Sequence, residues 1–287
     1  MVFQAILSGL VMGAIYALMG QGLYITYSTT KTFNFAHGDF VMVGGYLWLT
    51  LAFLAALWGP LAILGVILVL AVMGIAVYRI AIRPLPQVAH SYLLSTAAVG
   101  FMVINSTMLI WGKSGRSVPS IFGDDIIFIF GAGIMSQEIV VIIGSLVIMG
   151  LLLIFYQKSL FGKAIRATAY NSDAAELMGI NTKGVATFAY ILASILGGIA
   201  GIFIGPIMLL NAYMGLPLIL KAFSAAVIGG LTNPLGILLG GIALGICESV
   251  LGIWISAWKD AIVFTFIIIF IGVRPTGLFG VKAIQKV

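Results

Sequence analysis

Long apolar runs broken by short polar or Gly/Pro-rich stretches set the pattern of this chain. Leu61–Val77 and Ile139–Phe155 contain no charged residue. Neither alternates apolar and polar positions as a half-buried strand would, and both are longer than a buried strand. Such runs recur at 3–27, 36–56, 60–82, 92–111, 137–157, 185–206, 217–232, 235–256 and 260–273. Most approach the roughly 20 residues that cross a bilayer as a helix. The segment at 217–232 is shorter, begins beside Pro217 and ends in Gly229-Gly230; it reads either as a full span or as a re-entrant half-helix. The pattern predicts an all-α polytopic membrane protein with about eight or nine transmembrane segments. Residues 1–287 read as a single transmembrane domain, interrupted by one polar connector at about 158–184.

Composition sharpens this reading. The chain is 62% hydrophobic and 8% charged, against about 25% charged in a soluble domain. Lipid must therefore be its solvent, which leaves helices or a closed barrel. A barrel would show alternating segments of about ten residues, and these are absent. The first basic residue is Lys31, so no charged n-region precedes the first run, which reads as a retained span. Cys247 is the single cysteine, in an apolar stretch, and is expected to be a buried, inert thiol. The net charge of +6 is expected from basic cytoplasmic loops rather than nucleic-acid binding. Arg79 and Arg83, the basic residues of the central connector, and Arg274, Lys282 and Lys286 then lie inside. The N-terminus is outside, the C-terminus cytoplasmic, and the 112–136 loop external, where Lys113 and Arg116 are balanced by Asp124 and Asp125.

Little in the chain supports catalysis. His37 and His90 are the only histidines, and no Cys/His spacing suits a metal. The "GKS" at 112–114 lacks the leading glycine of a phosphate loop, whose place is held by Thr107. No catalytic residue, metal ligand or cofactor is expected within the chain. Glycines four apart (Gly197, Gly201 and Gly205; Gly236 and Gly240; Gly241 and Gly245) read as helix-packing faces rather than sliding surfaces. A weak symmetry sets "HGDFVMVGGYL" (37–47) over "AFSAAVIGGLT" (222–232), as an inverted repeat would. The segments beginning at Asn34 and Leu216 are therefore candidates to line a pathway. Asn34, His37, Asp39 and Ser224 are its candidate residues, with helix capping by Asn34 and Asp39 the alternative. Glu248, deep in an apolar run, is expected to be structural and subunit-facing.

The connector is the exception to all this oil. Of 22 charged residues in the chain, six fall between Lys158 and Lys183. "KSLFGKAIRATA" is amphipathic at helical spacing, and Asn171-Ser172 breaks it. Asp173 with Glu176 resembles a capping box, predicting a short helix over 174–178 closed by Gly179. Links between helices usually take about two to eight residues, so this length predicts a docking element for a partner.

"DAAELMGIN" (173–181), within "GKAIRATAYNSDAAELMGIN", resembles the EAA-type coupling loop of ABC importer permeases. With "NFAHGDFVMVGGY" (34–46), "LKAFSAAVIGGLTNPLGILLGG" (220–241) and "RPTGLFG" (274–280), the chain is similar, end to end, to LivH-type branched-chain amino acid permeases. The resemblance implies a plasma (inner) membrane permease working with a LivM-like second permease, two cytoplasmic ATPases that carry ATP and Mg²⁺, and an external binding protein. By position, Asp173, Ala174, Ala175, Glu176 and Gly179 would sit in the ATPase groove; Asp173 stands where the family has Glu. Members of the family also import urea, short amides, and aromatic or hydroxy acids, so the solute stays open. The competing reading is a stand-alone secondary transporter or channel, which would need no docking helix.

Overall fold

The computed structural model describes residues 1–85, 89–120, 122–123, 125–129, 131–274 and 276–280. Asp124, Pro275, Lys282 and Lys286, and the side chain of His90, lie outside the described residues. Every apolar run forms a helix. In chain order these are α1 (Val2–Thr30), α2 (His37–Trp48, continued by π-helical turns to Leu54), α3 (Gly59–Ala76, continued likewise to Ile82), α4 (Ala89–Trp111) and α5 (Ser136–Lys158). The connector supplies α6 (Leu160–Tyr170) and α7 (Ser172–Leu177), and α8 (Thr182–Ile204), α9 (Gly215–Gly229), α10 (Pro234–Trp254) and α11 (Lys259–Val273) follow.

Among the described residues, seven helices are long and apolar enough to cross a membrane: α1, α2 and α3 with their extensions, α4, α5, α8 and α10. At about 1.5 Å per residue, the 15 residues of α9 or α11 reach only about 22 Å, short of a hydrocarbon core of about 30 Å. The expected eight or nine spans thus become seven full-length helices and two short ones. The 112–136 loop brings a second difference. Ile126–Ile129 (β1) and Ala132–Met135 (β2) pair antiparallel, Ile126 opposite Met135. The hairpin lies within the 112–136 stretch that the sequence pattern left as a loop.

The chain forms two compact units. In the unit of Met1–Tyr24, Ile121–Met149 and Leu220–Val287, α10 carries two glycine faces. A Cβ at Gly240 would come 2.8 Å from Gly229 N on α9; one at Gly241 would come 2.7 Å from Ala17 Cα, and one at Gly245 2.5 Å from Gly13 Cα, both on α1. Only hydrogen lets these backbones approach so closely, and in lipid that contact drives helix association. In the unit of Ile25–Ser120 and Gly150–Ile219, α8 is the centre, packed on α2 and α3. Here a Cβ at Gly44 would come 2.5 Å from Gly198 Cα, and one at Gly74 2.6 Å from Tyr190 O. The predicted packing role of the spaced glycines is the observed one. Of the two glycine pairs aligned in sequence, Gly44-Gly45 lies inside α2, whereas Gly230, at φ +96°, ends α9.

Candidate functional site

The connector folds as two capped helices. Ser159, in extended conformation, accepts a hydrogen bond from Gly162 N at 2.8 Å and starts α6. A Cβ at Gly162 would come 2.5 Å from Phe155 O, so glycine there lets α6 double back on the end of α5. Phe161 stacks on Phe188 of α8 at 4.8 Å between ring centroids. Lys31 Nζ donates to Ala169 O at 2.7 Å, a cation on the negative end of the α6 dipole. Partial burial there pulls its ammonium below the usual lysine range.

The start of α7 corrects the capping assignment. Asn171 ends α6 at φ −156°, ψ 108°, and in that extended pose its Oδ1 accepts from Ala174 N at 3.0 Å. Asn171 is the cap, so α7 starts at Ser172 and Asp173 lies in its first turn, where a negative charge suits the dipole. Glu176 does not reach back; Thr182 Oγ1 donates to its Oε2 at 3.5 Å. The far end is as predicted. Gly179, at φ +85°, donates to Glu176 O at 3.0 Å and Ile180 N donates to Ala175 O at 3.0 Å, the two bonds of a Schellman stop.

Of the five residues expected at a partner, Ala175 is buried within the chain, while Asp173, Ala174, Glu176 and Gly179 are exposed. A cavity of about 520 Å³ lies between α6 and α7, with Lys163, Arg166, Asn171, Ala174 and Met178 on its walls. Tyr170, Leu177 and Met178 are 94%, 89% and 84% exposed. Large side chains this bare, on a short polar element, were not singled out from sequence. Their signal was available: they are the apolar positions that the α6–α7 pattern leaves unpaired.

The start of α2 gathers Asn34, His37 and Asp39, all buried. Neither capping role holds. Asn34 Oδ1 accepts from Ala36 N at 3.1 Å, an Asx turn before the helix, and the N-cap position is Ala36, which supplies no side-chain bond. His37 meets Phe40 edge-on at 6.3 Å. Asp39 points its carboxylate between Gly100 of α4 and Gly215 of α9; a Cβ at Gly100 would come 2.5 Å from Oδ2. Ser224 belongs to the other unit, and its hydroxyl donates to Leu220 O at 2.7 Å within α9.

Glu248 faces its own chain, not another subunit. Lys221 Nζ lies 2.6 Å from Oε1, Tyr16 donates to Oε2 at 2.9 Å, and Lys259 Nζ is 3.6 Å from Oε1. Lys221 also pairs with Asp260 at 3.0 Å. A buried carboxylate without such partners would carry a large desolvation cost, so Glu248 turns inward toward cations. Cys247, its neighbour on α10, points the other way and is exposed, contrary to the buried thiol expected. Among the described residues no cluster of His, Cys, Asp or Glu could hold a metal ion.

With this geometry in view, comparison with known families is decisive. Residues 5–272 match the family described as branched-chain amino acid transport system / permease component. The chain belongs to that family. The permease is 30% identical over 301 residues to the high-affinity branched-chain amino acid transport system permease protein LivH of Escherichia coli strain K12 and to that of Salmonella typhimurium, covering 99% of this chain and 97% of each relative. It is 29% identical, at the same coverage, to the BraD protein of Pseudomonas aeruginosa, whose name carries the same description. The permease is thus a multi-pass membrane component of an ABC transport system and not itself catalytic.

Proposed function

We propose that the permease moves branched-chain amino acids across the plasma membrane of a bacterial cell, beside a second, LivM-like permease and above two ATPases that bind ATP and Mg²⁺. An external binding protein delivers the solute, the N-terminus lies outside and the C-terminus inside, and α9 is a half-helix of the pathway together with the start of α2. The relatives' names support the solute, and the charge bias of the loops supports the orientation.

The observation that carries the coupling reading is the bare apolar crest of Tyr170, Leu177 and Met178 on rigidly capped helices. An idle loop in water would hide such side chains or lack them. A stand-alone transporter or channel gives no reason for the crest. Buried apolar anchors at interfaces contribute on the order of 2 kcal/mol or more, about 30-fold in affinity. Met178→Asp and Leu177→Asp should therefore each weaken ATPase co-purification about 30-fold and abolish uptake, with insertion unchanged. Ser159→Asp, which keeps a good cap on α6, should be near wild type. Ala175→Asp is a poor probe, because Ala175 is buried within the chain and its replacement disturbs α7 itself. Wild-type ATPase recovery by both crest variants would make the connector an idle loop.

A further inference from the structure

Neighbouring helices α3 and α4 are fastened at one end only. Ser95 of α4 donates to Ala81 O at 2.8 Å, within the π-helical turns that finish α3. Beyond that point α4 packs on α2, with little contact to the body of α3. The two helices splay, and Val43 and Leu47 of α2 floor the opening between them. It has a volume of about 490 Å³ and is walled by apolar side chains such as Val69, Met73 and Val103. Ile80, Met102 and Ile110 at its edge are 75%, 70% and 68% exposed, so the trough opens outward, away from the chain. So apolar a trough stays dry, and left empty its walls would forfeit dispersion contacts. In a bilayer it is filled by an acyl chain or by a helix of another subunit.

Length and charge favour the acyl chain. Along α3 the trough runs from Ile80 back to Val69, about 17 Å at about 1.5 Å per residue. That is near half of a hydrocarbon core of about 30 Å, the depth of one leaflet, whereas a spanning helix needs the whole core. The Ile80 mouth is basic. Arg79 and Arg83 are exposed beside Ile80, while Tyr78, Ala81 and Ile82 turn inward and are buried. Among the described residues, neither arginine has a carboxylate within ion-pair reach. Guanidinium groups pair with phosphate bidentately, and basic groups at the mouth of a cleft between spans suit an anionic headgroup. At the opposite mouth Arg116 is already engaged, donating to Trp111 O at 2.9 Å.

We propose that the trough between α3 and α4 seats an acyl chain of one anionic phospholipid, whose phosphate is held by Arg79 and Arg83. With the orientation proposed above, this mouth opens into the cytoplasmic leaflet, where the surface potential is negative. The share of α4 buried within the chain is the smallest among the seven long helices, and the lipid completes its packing. A helix of the second permease is the rival occupant that the test separates.

The test uses the assembled complex in detergent, supplied with dioleoyl phosphatidylglycerol or dioleoyl phosphatidylcholine, with bound lipid counted by native mass spectrometry. The wild type should retain the anionic lipid in preference to the zwitterionic one. Arg79→Gln with Arg83→Gln should weaken its retention about 30-fold, about fivefold for each basic residue. Lys113→Gln, beyond the opposite mouth, should retain it as the wild type does. Val103→Trp, which fills the trough, should release the lipid, and Leu109→Trp, on α4 but outside the trough, should not. Equal retention of the two lipids, or wild-type retention by the double arginine variant, makes the trough ordinary lipid-facing surface and overturns the proposal. Loss on Lys113→Gln alone puts the headgroup at the wrong end and overturns it too. If a helix of the second permease fills the trough, Met102→Cys in a Cys247→Ser background should be cross-linked to that subunit by a short bis-maleimide, which also overturns it. Should the double variant fail to assemble, the wild type decides: phosphatidylglycerol with a diazirine in its acyl chain should label peptides within 69–80 and 99–110, and labelling elsewhere only overturns the proposal. Lipid is counted without solute or ATP, so neither result bears on the transport reading.

Discussion

Glu248 and Asp39 are both carboxylates sunk in apolar helices, and their surroundings differ in almost every respect. Glu248 has a lysine at 2.6 Å, a tyrosine hydroxyl at 2.9 Å and a second lysine at 3.6 Å. Asp39 has glycines. A buried charge whose partners come from three other helices of its own unit is held in one arrangement and resists change. A buried charge with no partner is satisfied only by a proton or by something that arrives. Within one chain, the same functional group thus serves as a clasp in one unit and lies against bare backbone in the other.

The contrast can be broken from the clasp side first. Lys221→Met strips Glu248 of its nearest cation and should cost about 3–5 kcal/mol, with the lower end favoured because Lys259 remains. Reversible unfolding in mixed micelles measures this, and Lys221→Met with Glu248→Gln should recover most of the loss. If the double variant were no better than the single, Glu248 would not be held by charge. Tyr16→Phe removes one hydrogen bond to a charged acceptor and should cost about 1.5–3 kcal/mol in the same assay.

Asp39→Asn should act with the opposite sign. Removing an uncompensated buried charge should leave stability unchanged or raise it by about 1 kcal/mol. A destabilisation above about 2 kcal/mol would mean that Asp39 has structural partners after all. The smallest effect belongs to Lys259→Met. Its side chain is 41% exposed at 3.6 Å from Glu248, so solvent screening should hold the loss to about 0.5 kcal/mol.

How far the chain could be read in advance depended on whether a signal was local. The apolar runs marked all nine helices that become α1 to α5 and α8 to α11, because in lipid a run of apolar residues has few other ways to satisfy its backbone. The paired glycines of α10 announced close contact for the same reason. The connector was legible as an element but misread in detail: Asn171 and Asp173 are equally good caps by type, and the extended end of α6 chose Asn171. Cys247 was misjudged because hydropathy does not say which side of a helix faces its neighbours. The hairpin at 126–135 was missed because it falls in the 112–136 stretch read as a loop, and its two four-residue strands are too short to show a periodicity of their own.

By itself, then, the sequence determined the solvent, the helices, the polar connector and the two sites where a carboxylate is buried in oil. Each follows from composition and spacing along a single segment. Which carboxylate is paired was decided by the tertiary structure alone. Lys221 precedes Glu248 by 27 residues and Tyr16 precedes it by 232, and only the packing of α1, α9, α10 and α11 brings these groups within hydrogen-bond reach. Asp39 stays unpaired for the corresponding reason: the residues folded against it at Gly100 and Gly215 have no side chains to offer.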